Sequence, residues 1–404
     1  MPSLCGQDLS LRALRSVETR VSMTPSGDIE VAKGSPFGNT PVDFQGGPTL
    51  FTKKMIALLV LATILVSGAA MADDGFKIYG KLHTSIDYMS DSDNSQIMMA
   101  NNTSRFGFKG SKELEENLTF IWQFESAINL AQKGSNTLVT RNSYLGLNGN
   151  WGTFLYGIHD TPFKTIGRKA TFFFDELGDF RQTTMDWDRR LQDVVVYASP
   201  DMSGFGVVLG YMLDQGAIGA DENMTAFSGS AAYAKDALYV GVAYEMLSKG
   251  FAPVYDMTDP DNPVMTGYGE AQTGIRATAK YDFGTFAVAG LFQALSDVGG
   301  VADHSAQTFG LEAKFDFSDV YAVKGAYYMA DPDTDTDDDD YALLALGVDR
   351  QLGQKTYMYM QYAMTMNGDA SMHGVGGPGH GSKIGASAAG ESPMGISWGI
   401  ATKF

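Results

Sequence analysis

Cysteine, proline and basic residues are all scarce in this sequence, and long apolar runs are almost absent. Its 404 residues include one cysteine, Cys5, and 13 prolines, and 29 lysines and arginines face 47 acidic residues for a net charge of −18. A single cysteine excludes a disulfide framework and a cysteine metal site. The acidic balance disfavours nucleic acid as a partner, because phosphate binding requires basic patches.

The only long apolar run lies within residues 53–72. It begins with Lys53 and Lys54, continues through an apolar core of about a dozen residues, and ends with the small-residue triplet Ala70–Ala72. This pattern predicts a secretory signal peptide that is cleaved after Ala72. A membrane anchor is the alternative, but the run is shorter than the roughly 20 residues that a spanning helix needs.

Residues 1–52 show no apolar periodicity and contain scattered glycine and proline. A signal peptide belongs at the N-terminus, so we expect this stretch to be a disordered, mis-annotated extension. Translation would then start near Leu50 or at Met55, and residues 73–404 would form the mature domain.

Apolar and polar residues alternate along most of residues 73–404. Near the start of this region Ile78 and Leu82 alternate with Lys77 and Lys81. Regular alternation predicts strands with one polar, solvated face and one apolar face. The sixteen runs of this kind begin at Gly75, Ser104, Asn117, Arg141, Thr153, Arg190, Phe205, Ala226, Leu238, Ala271, Thr285, Ala306, Val320, Tyr341, Thr356 and Ile396.

Short and long connections alternate between these runs. We expect long loops at Met89–Asn102, Leu213–Thr225, Ser248–Glu270, Asp331–Asp340 and Asn367–Pro393, and short turns between them. A soluble sandwich shares the strand pattern, but short turns at one end and long loops at the other are typical of outer-membrane barrels. The sequence therefore predicts an all-β, 16-stranded antiparallel transmembrane barrel.

The stretch from His159 to Arg190 is the longest interruption between two strand runs. It holds Phe172, Phe173, Phe174 and Phe180, which are too many aromatics for a disordered loop. Long connections in compact folds are usually functional. We expect this stretch to pack inside the barrel and to narrow it.

Four stretches resemble the trimeric general porins of Gram-negative bacteria, a likeness that covers nearly all of residues 73–404. Phe76–Leu82 is similar to the first strand of that family, Ser104–Gly110 to the second, and Arg190–Pro200 to the strand after its third loop. The chain ends in Trp398–Phe404, which is similar to the terminal signal read by the outer-membrane assembly machinery.

The resemblance implies a barrel whose third loop folds inward and faces a row of wall arginines. Arg105, Arg141 and Arg190 would be the wall residues, and Asp175, Glu176 and Asp179 the loop acids opposite them. Phe404 would be the assembly signal. The implied partners are two further copies in a homotrimer, outer-membrane lipids and lipopolysaccharide, the assembly machinery, and small hydrophilic solutes.

The ion preference and two metal hypotheses stay open at this stage. The negative net charge leans towards a weak cation preference, whereas the wall arginines favour anions. Asp331–Asp340 holds seven aspartates, but it lacks the glycine and distal glutamate of a calcium loop, so a solvated acidic loop is the simpler interpretation. His373 and His380 have no ligand-like neighbours in sequence, and we expect no metal and no cofactor.

The sequence therefore predicts an outer-membrane porin for passive diffusion of ions and small hydrophilic solutes. A substrate-specific porin for phosphate, sugars or aromatic acids is the main alternative. An outer-membrane enzyme is disfavoured, because none of the five histidines lies in a nucleophile context. A non-conducting adhesin is the third possibility.

Overall fold

The computed structural model describes residues 75–133, 138–216, 221–256, 264–333 and 336–404. The predicted extension and signal peptide lie outside these residues. The barrel strands are β1 Lys77–Ser90, β2 Ser95–Asn101 with Arg105–Glu115, β3 Leu118–Ala127, β4 Val139–Thr140 with Ser143–Gly149, β5 Gly152–Asp160, β6 Arg190–Ala198, β7 Phe205–Met212, β8 Ala226–Lys235, β9 Leu238–Leu247, β10 Gln272–Asp282, β11 Phe286–Ser296, β12 Ser305–Asp316, β13 Tyr321–Asp331, β14 Tyr341–Gly353, β15 Thr356–Asn367 and β16 Met394–Lys403.

Each strand pairs antiparallel with its neighbour in the chain, and β1 pairs with β16. The described strands therefore form a closed 16-stranded antiparallel barrel, which confirms the predicted fold class. Closure leaves no free sheet edge, so every strand has hydrogen-bonding partners on both sides.

Two strands are interrupted. β2 pauses at residues 102–104, and both of its parts pair with β1. The expected long loop at Met89–Asn102 is therefore wrong: β1 and β2 are joined by a turn at residues 91–94, and Ser95–Asn101 belongs to the wall. β4 pauses at residues 141–142, and both of its parts pair with β3.

Burial along the strands is the reverse of that in a soluble protein. On β1, His83 and Asp87 are fully buried, whereas Ile78 and Ile86 are each 51% exposed. The same holds on β12, where Glu312 is buried and Leu311 is 65% exposed. An apolar outer face and a polar inner face are the pattern of a barrel that spans a lipid bilayer.

Residues 161–189, which we call the β5–β6 segment, contain the longest helix of the described chain. Helix α1, Pro162–Lys169, begins with the cap Thr161, whose side chain accepts from the Lys164 amide, and with proline at its first turn. A short 3₁₀ turn follows at Phe180–Thr183. The sequence pattern does not predict this helix, because eight residues are too few for a clear 3.6-residue period.

The largest apolar clusters lie between this segment and the strands. Phe163, Ile166 and Trp187 pack with Leu247 and Leu295. A second cluster joins the segment to β13–β15 and consists of Phe173, Leu177, Phe180, Tyr328, Leu343, Ala345, Ala363 and their neighbours. The aromatics of the segment are therefore packed, as the sequence predicted.

Two small hairpins, Pro253–Asp256 with Val264–Tyr268 and Val375–Gly376 with Lys383–Ile384, lie in the longer loops. Across the described ranges, no helix has the length and apolar character needed to cross a membrane.

Candidate functional site

The β5–β6 segment lies against the buried polar face of most strands. Its contacts include Ser228 on β8, Arg276 on β10, Thr308 on β12 and Gln361 on β15. Polar contacts at so many points hold the backbone of the segment in one place. The charged groups at its edge, where it approaches β2–β6, form the candidate site.

Asp175 is the centre of the charged contacts between the segment and β1–β2. Its carboxylate lies 2.9 Å from Lys81 Nζ, 2.8 Å from Arg181 Nη2 and 3.6 Å from Arg105 Nη1. Burial alone would raise the pKa of Asp175, but these three cations hold it well below its usual range. Asp175 is therefore a fixed negative charge that attaches the segment to the wall.

Glu176 and the neighbouring backbone attach the opposite side of the segment. Lys324 on β13 lies 2.5 Å from Glu176, and Tyr357 on β15 donates to the same carboxylate at 2.8 Å. Glu312 on β12 accepts from Thr171 Oγ1 at 2.6 Å and from the Phe172 amide at 2.5 Å.

The wall arginines of β2 and β4 share one acid on β3. Arg141 Nε lies 2.6 Å from Glu125, and Arg105 Nε lies 3.8 Å from the same side chain. Tyr79 on β1 also donates to Glu125 at 3.1 Å. One carboxylate therefore holds two guanidinium groups side by side on the wall.

Asp160, at the end of β5, binds three cations. Arg168, Arg190 and Lys164 lie 2.6, 3.0 and 3.1 Å from its carboxylate. Arg190 also donates to Asn142 at 2.8 Å. Two of these cations come from α1 and one from β6, so Asp160 fixes the start of the segment to the wall.

Exposure differs between the cations and the acids of this cluster. The side chains of Arg105, Arg168 and Arg190 are 16%, 22% and 20% exposed, whereas those of Asp160 and Asp175 are 1% and 2% exposed. The accessible charge of this cluster is therefore mostly positive.

The predicted site residues are only partly brought together. Arg105 Nη1 lies 3.6 Å from the carboxylate of Asp175 in the segment. Arg141 and Arg190 instead pair with the wall acids Glu125 and Asp160.

The other two predicted loop acids face away from the wall arginines. Glu176 pairs with Lys324. Asp179 binds Arg181 at 2.5 Å and caps the 3₁₀ turn, so its contacts are within the segment.

Several charged residues of the site were missed by the sequence analysis. They are Lys81, Glu125, Asp160, Lys164, Arg276, Glu312 and Lys324. Each of them is buried in the structure. A lysine or glutamate at an inward position of an alternating strand is the signal that was available, but it does not reveal the partner.

Phe404 lies beside β1. Its backbone exchanges hydrogen bonds with Gly80, at 3.2 and 3.3 Å, and its ring covers this glycine so closely that an added Cβ would lie 2.3 Å from it. The side chain remains 52% exposed. Phe404 thus extends the pairing between β16 and β1, the two strands that close the barrel.

The metal hypotheses gain no support within the described ranges, where no three histidine, cysteine or acidic side chains come together. His380 instead binds Asp87, and His373 stacks on Tyr341 at 3.6 Å. The acidic loop Asp331–Asp340 is only partly described.

A closed barrel with an apolar exterior, a polar interior and a cluster of charged side chains on its inner face is the architecture of a membrane-spanning channel protein. The model of the Gram-negative porin family matches residues 57–370. Outer membrane porin protein 32 of Delftia acidovorans is 27% identical over 375 residues, covering 87% of this chain and 99% of the relative.

Two solved structures are similar in fold. The anion-selective porin from Comamonas acidovorans has a TM-score of 0.66 at 23% identity, covering 82% of this chain and 100% of that chain. The trimer form of OmpT from Vibrio cholerae has a TM-score of 0.61 at 18% identity, covering 82% and 100%. The chain belongs to the Gram-negative porin family. It is an integral outer-membrane channel for passive diffusion, and the family is not one of enzymes.

Proposed function

We propose that this porin passes small hydrophilic solutes and ions, with a preference for anions, through the opening between the β5–β6 segment and the wall of β2–β6. The segment is the inward-folded third loop in this proposal. Arg105, Arg141 and Arg190 line one side of the constriction, and Arg168 lines the other.

The charge balance of the ion-pair cluster carries the proposal. Its cations are Lys81, Arg105, Arg141, Lys164, Arg168, Arg181 and Arg190, and its acids are Glu125, Asp160, Asp175 and Asp179. Seven cations against four carboxylates leave an excess of three positive charges. Rings of charged side chains set ion preference in pores. This local excess reverses the expectation drawn from the net charge of the whole chain.

Location explains why the local charge outweighs the total. Exposed charges farther away than a Debye length, about 8 Å at physiological salt, are largely screened. In the described part of the acidic loop, Asp333 accepts from Ser305 Oγ and the Asp340 carbonyl accepts from the Gly368 amide, whereas the guanidinium groups lie at the proposed constriction itself. The anion selectivity of the similar porin from Comamonas acidovorans supports the same sign.

The test is the reversal potential of the purified protein in a planar bilayer under a KCl gradient. A potential of the sign set by chloride flow supports the proposal, and a potential set by potassium contradicts it. Steps in groups of three support a homotrimer, which the trimeric form of the similar OmpT also supports.

A substrate-specific channel is the second candidate, and Phe174 favours it. This half-buried ring lies 4.4 Å from the Arg168 guanidinium and 4.5 Å from that of Arg181. An aromatic surface next to cations suits an aromatic or amphipathic acid. Block of the conductance by a low concentration of benzoate, with no effect of acetate, would favour this candidate.

The remaining proposals concern export and assembly. We propose that residues 53–72 are removed as a signal peptide, and that residues 1–52 are absent from the translated protein. Lipids and lipopolysaccharide would contact the exposed apolar face. The assembly machinery would bind the end of the chain at Phe404.

A further inference from the structure

The final loop, residues 368–393 between β15 and β16, contacts the polar face of β1. Its His380 and Ser382 are buried, and both donate to Asp87 on the polar face of β1, His380 at 3.0 Å and Ser382 at 2.5 Å. Asp87 is fully buried. The loop therefore covers part of the inner wall and is held there by a carboxylate.

The interruption of β2 supplies a second contact for the final loop. At residues 102–104 the strand leaves the ladder, and the side chain of Asn102 accepts from the Gly381 amide at 2.8 Å. Gly381 lies so close to Asn101 that an added Cβ would come within 2.5 Å of its carbonyl oxygen. The strand break and the loop thus fit each other.

The final loop also contacts the β5–β6 segment. The Gly376 amide donates to Gln182 Oε1 at 2.7 Å, and Val375 is fully buried in the same apolar cluster as Phe173, Leu177 and Phe180. Gly379 lies directly against Arg181, because an added Cβ would lie 1.8 Å from Arg181 Nη2.

Within the charged cluster, these contacts reach Arg181. The ion pairs of Arg105, Arg141 and Arg190 in the described chain involve wall acids and Asp175, and none involves the final loop. The loop therefore contacts the segment where β1 and β15 meet it, and it makes none of these ion pairs.

We infer that the final loop is a second constriction element. It contacts the β5–β6 segment through Gly379, which lies against Arg181, and through the Gly376 amide, which donates to Gln182. Asp87 anchors the loop to the wall. The loop confines the solute path to the arginine-lined side. The inference rests on the proposed function, since it specifies where solutes pass. Asp87 acts as a positioning residue, because it holds the loop and does not touch the open path.

Two glycines of the loop provide a matched test. Gly379 has φ +86° and no room for a Cβ, whereas Gly385 has nothing within 4 Å of an added Cβ. Gly379→Ala should push the loop away from Arg181 and raise the single-channel conductance. Gly385→Ala, the same substitution in the same loop, should leave the conductance unchanged.

Thiol labelling reports the position of the loop independently of conductance. Residues 73–404 contain no cysteine, so Val375→Cys places a single thiol in the mature domain, at a fully buried position. A bulky maleimide should label this thiol several-fold faster in the Gly379→Ala protein than in the Gly385→Ala protein.

A deletion completes the test if Gly379→Ala fails to assemble. Gly374 and Gly385 lie side by side, since a Cβ on Gly374 would be 3.1 Å from the Gly385 Cα. Removing residues 375–384 and joining these two glycines through one added glycine should raise the conductance.

Equal conductance and equal labelling of the two alanine variants would overturn the inference, as would an unchanged conductance of the deletion variant. The proposed function would survive either result, because the reversal potential of the unaltered protein tests it separately.

Discussion

Replacing Arg190 by alanine tests the constriction most directly, because it removes one cation without leaving an acid alone. Asp160 would keep Lys164 at 3.1 Å and Arg168 at 2.6 Å. Loss of one partner from a buried pair costs about 3–5 kcal/mol when it strands the other charge, but here two cations remain. We therefore expect Arg190→Ala to fold and to assemble normally.

The expected change in selectivity follows from Coulomb's law. A unit charge acts on an ion roughly 6 Å away with about 0.7 kcal/mol at the dielectric constant of water. Screening with a Debye length of about 10 Å at 0.1 M salt reduces this to about 0.4 kcal/mol. Removing Arg190 then disfavours anions and favours cations by about 2-fold each, so the anion-to-cation permeability ratio should fall about 4-fold.

Salt concentration separates this electrostatic effect from a change in pore width. At 1 M salt the Debye length is about 3 Å, and the same change should shrink below about 1.5-fold. The assay is the reversal potential of the variant and of the unaltered protein in gradients centred on each concentration. Lys249→Ala is the control, because Lys249 is 41% exposed and pairs with Glu270 in a loop. An unchanged potential in Arg190→Ala would place Arg190 outside the conduction path.

Three further predictions concern assembly and stability. Deleting Phe404 should lower the amount of assembled protein in outer-membrane fractions, and a normal amount would remove its assigned role. Lys324→Met should lower the free energy of unfolding, measured by urea titration, by about 3–5 kcal/mol, because it leaves the buried carboxylate of Glu176 without its cation. The control Lys249→Met should change the free energy of unfolding by at most about 1 kcal/mol. Three cations lower the pKa of Asp175 in the folded protein. The contribution of Asp175 to the stability of the fold is therefore present above a pH of about 4 and is lost as the pH falls below that value. The hydrogen-exchange protection factors of the β5–β6 segment, which correct for the intrinsic pH dependence of amide exchange, should therefore be unchanged from pH 7 to about 5 and should fall only below about 4. Weaker protection already at pH 6 would contradict the assignment.

The sixteen strands were predictable because their signal is local. The alternation of polar and apolar residues, as in Lys81 and Leu82, can be read within each strand alone. Sixteen strands with this pattern are compatible with few folds other than a barrel. The strand Ser95–Asn101 was not predictable, because the loop-like residues Asn102 and Thr103 separate it from the rest of β2. The stretch before the break was therefore mistaken for part of a loop, although it pairs with β1 over seven residues.

The partners within the site depend on strand register, which the sequence does not show. Whether Arg141 meets Glu125 or a loop acid is decided by which residues of β3 and β4 stand opposite each other. The resemblance led us to expect Arg105 near Asp175, and the two side chains lie 3.6 Å apart, but their role in a constriction stays a prediction. It could not show that Asp160 gathers three cations, because two of them lie on a helix that the sequence analysis did not predict.

The alternation of buried polar and exposed apolar residues also bears on how such a chain travels before it folds. A protein of the outer membrane must first cross the inner one as an extended chain. A run of roughly 20 apolar residues would stop it there as a spanning helix. Because every second residue of a barrel strand is polar, as Lys81, His83 and Asp87 are, the apolar surface is divided into single side chains. The same alternation that suits the folded wall to one membrane thus keeps the unfolded chain from being retained in another.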